Sequence, residues 1–143
     1  MKCTVIIDDN REEEVIIYAH RHSTLTSQIT ALAESYSAEI IGYMDRTAEK
    51  LSLEEIICFI TESNKTYAVT ENGKFRIKER LYSLEEKLSS SFIRINQSCI
   101  ASVSKIHRFE PSPYGSLSVV FINGLKDYVS RRNLKNVKER LGI

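Results

Sequence analysis

Two stretches of the chain place cationic and amide side chains where extended structure gives way to a turn. The first, FIRINQSCIASVSK over residues 92–105, carries Arg94, Asn96, Gln97 and Lys105; the second, YVSRRNL over residues 128–134, carries Arg131, Arg132 and Asn133. The chemistry open to such residues is recognition. An arginine fork matches two acceptors on a guanine edge or a phosphate, a side-chain amide matches the donor and acceptor of adenine, and lysine neutralises a phosphate without reading sequence. The second stretch also holds a local conflict. Leu134, Val137 and Leu141 mark the buried side of a helix with Ser130 as its N-cap, so Arg131 and Arg132 fall in its first turn. Cations there oppose the helix dipole by roughly 0.3–1 kcal/mol each. The same helix end offers free backbone N–H groups to an anion, so the arginines make sense if the partner is a phosphate or a base edge. Two arginines simply tolerated on an exposed surface remain the alternative at this stage.

Other residues with chemical potential point elsewhere. Asp8 and Asp9 follow an apolar run as a magnesium-holding pair would in a receiver domain, but about 44 residues cannot build five βα units, so they are read as an acidic turn. Glu12 to Glu14 are read as a solvated hairpin. His20 and His22 lack the ligand cluster a metal needs and are read as partly exposed. Cys3, Cys58 and Cys99 have no pair spacing, which suits buried apolar use in a reducing compartment. No phosphate loop, nucleophile elbow or His-Glu helix motif occurs, so no catalysis, metal or cofactor is expected. Tyr67, Tyr82 and Tyr114 are not spaced as a stacking platform for single strands.

The elements that must position these side chains follow from length, charge and periodicity. At 143 residues, 42% apolar and 27% charged, the chain has the length and composition for one globular domain with a small extension, and it contains no apolar run long enough to span a membrane. Residues 1–60 carry a net charge of −6 and residues 61–143 a net charge of +7, which directs the C-terminal part at a polyanion. Residues 3–7 and 15–19 read as two strands. Leu25, Ile29, Leu32, Ala33 and Tyr36 line a helix capped by Ser23 or Thr24, and residues 40–44 read as a third strand. The polar segment 45–55 is the expected boundary, dividing a small α/β piece, 1–44, from a main domain, 45–143. Within it Ser52 and Glu55 have capping-box spacing for one helical turn.

Residues 56–61, 66–70 and 74–78 form an expected meander, with Asn72-Gly73 as its tight hairpin. Leu81, Leu84 and Leu88 mark a short amphipathic helix. Strands are expected over 92–95, 106–109, 117–122 and 125–129, the last two joined by Asn123-Gly124, with a loop forced by Pro111 and Pro113. The fold class is therefore α+β and mainly antiparallel β.

With these residues in view, FIRINQSCIASVSKI, the later Asn-Gly hairpin and YVSRRNLKNVKERLG resemble the LytTR DNA-binding domain of bacterial transcription regulators over roughly residues 44–143. The N-terminal elements, IIGYMD and RLYSLEEKL look like stand-alone members of that family, which lack a receiver domain. The resemblance implies an elongated β domain whose loops enter successive major grooves of duplex DNA. It assigns DNA contact to Ser63, Asn64 and Lys65, to Asn96 and Gln97 with Arg94 and Lys105 beside them for phosphates, and to Arg131, Arg132 and Asn133. The function expected is a cytoplasmic, sequence-specific regulator; one reader of this size contacts too little DNA for regulatory specificity, so residues 1–44 are expected to serve homodimerisation or sensing, and the resemblance further implies a regulatory membrane-protein partner. A protein-interaction module that titrates another regulator is the competing function. Ile100, Ala101 and Ser102, and Thr61 in place of a common acid, depart from the family pattern, so base preferences are not transferred.

Overall fold

The computed structural model describes residues 1–11, 14–36 and 39–143. Helix α1 (Thr24–Tyr36) starts at Ser23, where the Thr26 N–H donates to Ser23 Oγ and the Ser23 N–H donates to Thr26 Oγ1, a reciprocal cap. Ten strands follow: β1 (Ile40–Met44), β2 (Thr47–Leu51), β3 (Cys58–Glu62), β4 (Lys65–Thr70), β5 (Gly73–Ile77), β6 (Phe92–Asn96), β7 (Cys99–Ser102), β8 (Ile106–Pro111), β9 (Leu117–Phe121) and β10 (Lys126–Val129). Helix α2 (Leu81–Lys87) lies between β5 and β6, and helix α3 (Arg131–Leu141) follows β10. The expected single turn before β3 is a 3-10 turn, Leu53–Glu55, whose Glu54 N–H donates to Ser52 Oγ.

Seven strands form one antiparallel sheet in the order β2-β1-β5-β4-β3-β7-β6, and β10-β9-β8 form a second. Register explains the two cores. Phe75, Ala68, Phe59 and Ile100 sit opposite one another across β5, β4, β3 and β7, and they pack with Leu81 and Leu84 of α2. One residue along, Val69, Cys58, Ala101 and Ile93 form the row on the other face, which packs with Val119, Phe121, Val129 and Val137 from the second sheet and α3. The central strands are thus covered on both faces, and their sequences are correspondingly near-continuous in apolar residues, as in Ile56, Ile57, Cys58 and Phe59, each 0% exposed. Burying a side chain such as Phe59 or Phe121 contributes about 1.5–3 kcal/mol.

The N-terminal expectations need correction. Residues 3–7 and 15–19 join no ladder among the described residues, and Val5, Ile6 and Ile7 are 80%, 83% and 85% exposed. A two-stranded hairpin with no third element to bury one face is marginal, which is why β-branched composition alone does not make a strand here. The expected turn at Glu12 and Glu13 and the side chain of Tyr36 lie outside the described residues. Asp8 does open a turn, accepting from the Asn10 N–H. Cys58 and Cys99 are buried, but Cys3 is exposed. The run 40–44 is a strand of the main sheet: β1 pairs along its length with β2 and meets β5 at Tyr43–Arg76, so this hairpin straddles the expected boundary at residue 44.

Candidate nucleic-acid interface

Three chain segments converge at one end of the large sheet. The β6–β7 turn presents Gln97 and Ser98, both exposed. Beside it, the Thr61 N–H of β3 donates to the Ser98 carbonyl at 2.9 Å, which brings the β3–β4 turn alongside. The Ser130 N–H, at the cap of α3, donates to the Ile95 carbonyl at 2.9 Å, which sets the helix start against the same turn.

Each segment has its own means of holding shape. Ser63 and Asn64 both lie at positive φ, 50° and 62°, a pair of left-handed residues that reverses the chain within two positions and leaves Lys65 exposed. At α3 the Ser130 side chain makes no capping bond to the helix N–H groups; its hydroxyl accepts instead from Asn133 Nδ2 at 2.8 Å. Of the first-turn N–H groups, that of Asn133 donates to the Ser130 carbonyl at 3.0 Å; the other two belong to Arg131 and Arg132, whose side chains are exposed and without an acidic partner among the described residues.

The β6–β7 turn is built differently from the expectation. Asn96 is 1% exposed. Its Nδ2 donates to Asp127 Oδ1 and to the Tyr128 carbonyl, each at 2.8 Å, and its Oδ1 accepts the Ser98 N–H at 2.7 Å. With its amide group spent inside the fold, Asn96 is not offered to a base; the expectation of DNA contact at this residue is corrected to a structural one. Arg94 is likewise committed. Its Nε donates to the Asn96 carbonyl at 2.7 Å, Nη2 to the Gln97 carbonyl at 2.6 Å and Nη1 to Glu85 Oε2 of α2 at 2.9 Å. Arg94 therefore shapes the turn, and its charge is offset by Glu85, where a free phosphate contact was expected.

Lys105 is corrected in position. Phe92 pairs with Ser102 and Asn96 with Cys99, so β7 runs away from the Gln97 turn and delivers Lys105 to the far end of the sheet. There it lines a cleft with Glu54, Glu55 and Glu71, an acidic setting unsuited to DNA. On the neighbouring β3–β4 hairpin, Lys65 has no acidic partner among the described residues, since Glu62 opposite it is taken by Lys74 at 2.9 Å.

Behind the turn, the Cys99 thiol is pushed far above its ordinary pKa by a hydrogen bond to Cys58, then by burial and by the Asp127 charge. On the second sheet, hydrogen bonds from Lys126 and Arg108 hold the Glu110 carboxyl below its usual range, so those two cations are also partnered. Sequence reasoning missed Asp127 and Glu85, which touch no expected ligand and act only through Asn96 and Arg94.

Known proteins resemble this chain in sequence and in fold. The model of the LytTr DNA-binding domain matches residues 46–142. Proteins named as uncharacterized HTH-type transcriptional regulators are similar over the whole chain. One, from Staphylococcus aureus strain NCTC 8325 / PS 47, is 34% identical over 146 residues, covering 100% of this chain and 99% of that protein. Another, from strain N315, is 32% identical over 148 residues with the same coverage. Among solved structures, the LytTr DNA-binding domain of a protein described as a methyl-accepting/DNA response regulator from Bacillus cereus superposes with a TM-score of 0.71 at 21% identity, covering 74% of this chain and 98% of that one. That likeness concerns the fold, which is the mainly antiparallel β architecture expected from sequence.

Proposed function

The chain belongs to the LytTR family of DNA-binding domains and is a DNA-binding transcriptional regulator; from that premise we propose that it reads double-stranded promoter DNA sequence-specifically through three loops at one end of a β scaffold. The observation that supports this reading is the sorting of polar residues at that end. Asn96 and Arg94 are consumed by the scaffold, while Gln97, Lys65, Arg131 and Arg132 are exposed with no acid paired to them among the described residues. In this assignment Gln97 and Arg132 discriminate bases, as amide to adenine and guanidinium to guanine, each contact worth about 1–3 kcal/mol. Lys65 and Arg131 neutralise phosphates, and the Arg131 and Arg132 N–H groups at the start of α3 add a further anion contact. Asn64, at the tip of its turn, has an exposed amide for the same surface. Asn133 is half-buried and bonded to Ser130, so it orients the helix start.

The test is a salt titration of binding to a duplex enriched by the protein from a randomised pool, and to random duplex. Steep loss of affinity with salt on both duplexes is expected, because cations displace condensed counterions. Gln97→Ala and Arg132→Ala should lower affinity for the enriched duplex selectively, whereas Lys65→Ala should weaken both alike. If no duplex is enriched over random, sequence-specific reading is wrong.

The same proposal includes a homodimer, because one reader of this size covers too little DNA for regulatory specificity. The exposed apolar run of Val5, Ile6 and Ile7 and the second run at Val15, Ile16 and Ile17 join no ladder among the described residues and offer their backbone to a second copy. Ile6→Lys combined with Ile16→Lys should shift sedimentation from dimer to monomer; an unchanged sedimentation coefficient rules that contact out. A cytoplasmic location and a regulatory membrane-protein partner complete the proposal, and no helix among the described residues is long and apolar enough to cross a membrane.

A further inference from the structure

Asn96 and Asp127 are thirty-one residues apart, yet their side chains bond and so join the Gln97 turn to the strand leading into α3. Hydrogen bonds hold this joint and the turn beside it. Asn96 Nδ2 donates to Asp127 Oδ1 and to the Tyr128 carbonyl, Asn96 Oδ1 accepts the Ser98 N–H, and the Ser130 N–H donates to the Ile95 carbonyl. Asp127 Oδ1 is fixed in turn by the Tyr128 N–H at 2.8 Å. On the opposite face of β6, Arg94 grips the Asn96 and Gln97 carbonyls and is itself held by Glu85. Gln97 is therefore held through its backbone, and its side chain is left outside. The carboxylate is half-buried and bonds the residue next to Gln97, beside the surface proposed for DNA, where a negative charge opposes binding. Its presence there is explained by what it accepts.

We propose that Asn96 and Asp127 are a positioning pair that fixes the spacing between Gln97 and Arg132, so that the two base readers meet the duplex as one rigid unit. This rests on the sequence-specific reading proposed above. A contact held to within about 0.5 Å by such support discriminates bases; one left loose does not. The pair thus acts on specificity, while affinity from phosphates is set elsewhere.

Charge and hydrogen bonding at Asp127 separate in two substitutions. Asp127→Asn and Asp127→Ala both remove the negative charge, and only Asp127→Asn keeps an oxygen able to accept from Asn96 Nδ2. Binding of the full chain is measured to the duplex it enriches from a randomised pool and to random duplex of equal length. Their ratio cancels any difference in folded fraction. The expected result is that Asp127→Asn preserves the ratio while Asp127→Ala lowers it about tenfold or more, with random-duplex affinity and the salt slope of the two variants alike. Asp127→Ser, whose shorter hydroxyl does not reach Asn96, should match Asp127→Ala, and it serves if the alanine variant fails to fold. Equal ratios for Asp127→Asn and Asp127→Ala, whether both preserved or both reduced, would overturn the positioning role. Failure of the wild-type chain to enrich any duplex overturns the sequence-specific reading itself, and is recognised by occurring before any variant is compared.

Discussion

Asn96 and Gln97 are adjacent amides, yet their removal should have opposite consequences. Asn96→Ala deletes three hydrogen bonds from a residue that is 1% exposed: two donated, to Asp127 Oδ1 and the Tyr128 carbonyl, and one accepted from the Ser98 N–H. At about 1 kcal/mol net for each bond, and more where a buried partner is stranded, the loss is about 2–4 kcal/mol. The lost bonds themselves carry that cost, because Ser98 and Tyr128 are exposed and Asp127 keeps the Tyr128 N–H. Gln97 has an exposed side chain whose amide makes no hydrogen bond among the described residues, so Gln97→Ala should stay within about ±0.5 kcal/mol. Urea unfolding followed by circular dichroism reads both. With a slope of about 1–3 kcal/mol/M, Asn96→Ala should lower the midpoint by about 1–2 M without changing the slope, and Gln97→Ala should leave it in place. A midpoint for Asn96→Ala within error of Gln97→Ala would refute the structural assignment of Asn96 and return it to the DNA-facing set.

Two further outcomes follow from buried groups. Native protein should take up a single iodoacetamide at Cys3, the exposed thiol, and three after denaturation, as counted by mass spectrometry; modification of Cys99 in the native state would contradict its packing. Because the Cys99 pKa in the fold is raised above its ordinary 9.0, the stability linked to its protonated form is complete below that pH and is lost as the pH rises beyond it. The wild-type melting temperature should therefore fall more steeply above pH 9 than that of Cys99→Ala. Gly42→Ala should destabilise by about 1–3 kcal/mol, since its Cβ would lie 2.6 Å from both Leu51 Cδ1 and Phe75 Cβ; an unchanged thermal melt would show that β1 and β2 are packed more loosely than described.

Local signals carried most of the main domain. The spacing of Leu134, Val137 and Leu141 located α3, and Asn72-Gly73 and Asn123-Gly124 located two hairpins, because helix period and turn chemistry are properties of neighbouring residues. What failed was set by distant residues. Strand β2, TAEKL, has one buried side chain and poor strand composition; it exists because β1 pairs with it through a two-residue turn at Asp45. The β-branched runs near the N-terminus show the reverse, good strand composition with no sheet to join. Asn96 looked like a solvated turn residue because the partners that bury it lie on β10. Lys105 looked like a neighbour of Gln97 because it follows closely in sequence, yet a four-residue strand carries the chain about 13 Å. Charge commitment was equally hidden: Arg94 reads as a free cation until Glu85 is seen beside it.

The β1–β2 hairpin has a consequence for how this domain is inherited and joined to others. Ile40 and Leu51 face each other at its open end, and both belong to the core shared with Phe75 and α2. A recombination event, or a cut made between Met44 and Thr47, would separate strands that complete one another, leaving β5 with a bare flank and Leu51 in water. The smallest piece that can move intact between proteins therefore begins at Ile40, several residues ahead of the stretch by which the family is recognised. Whatever is joined to the chain at Ile40 is joined to a strand of the large sheet, so tension or rotation applied at that point is delivered to β1 and through it to β5.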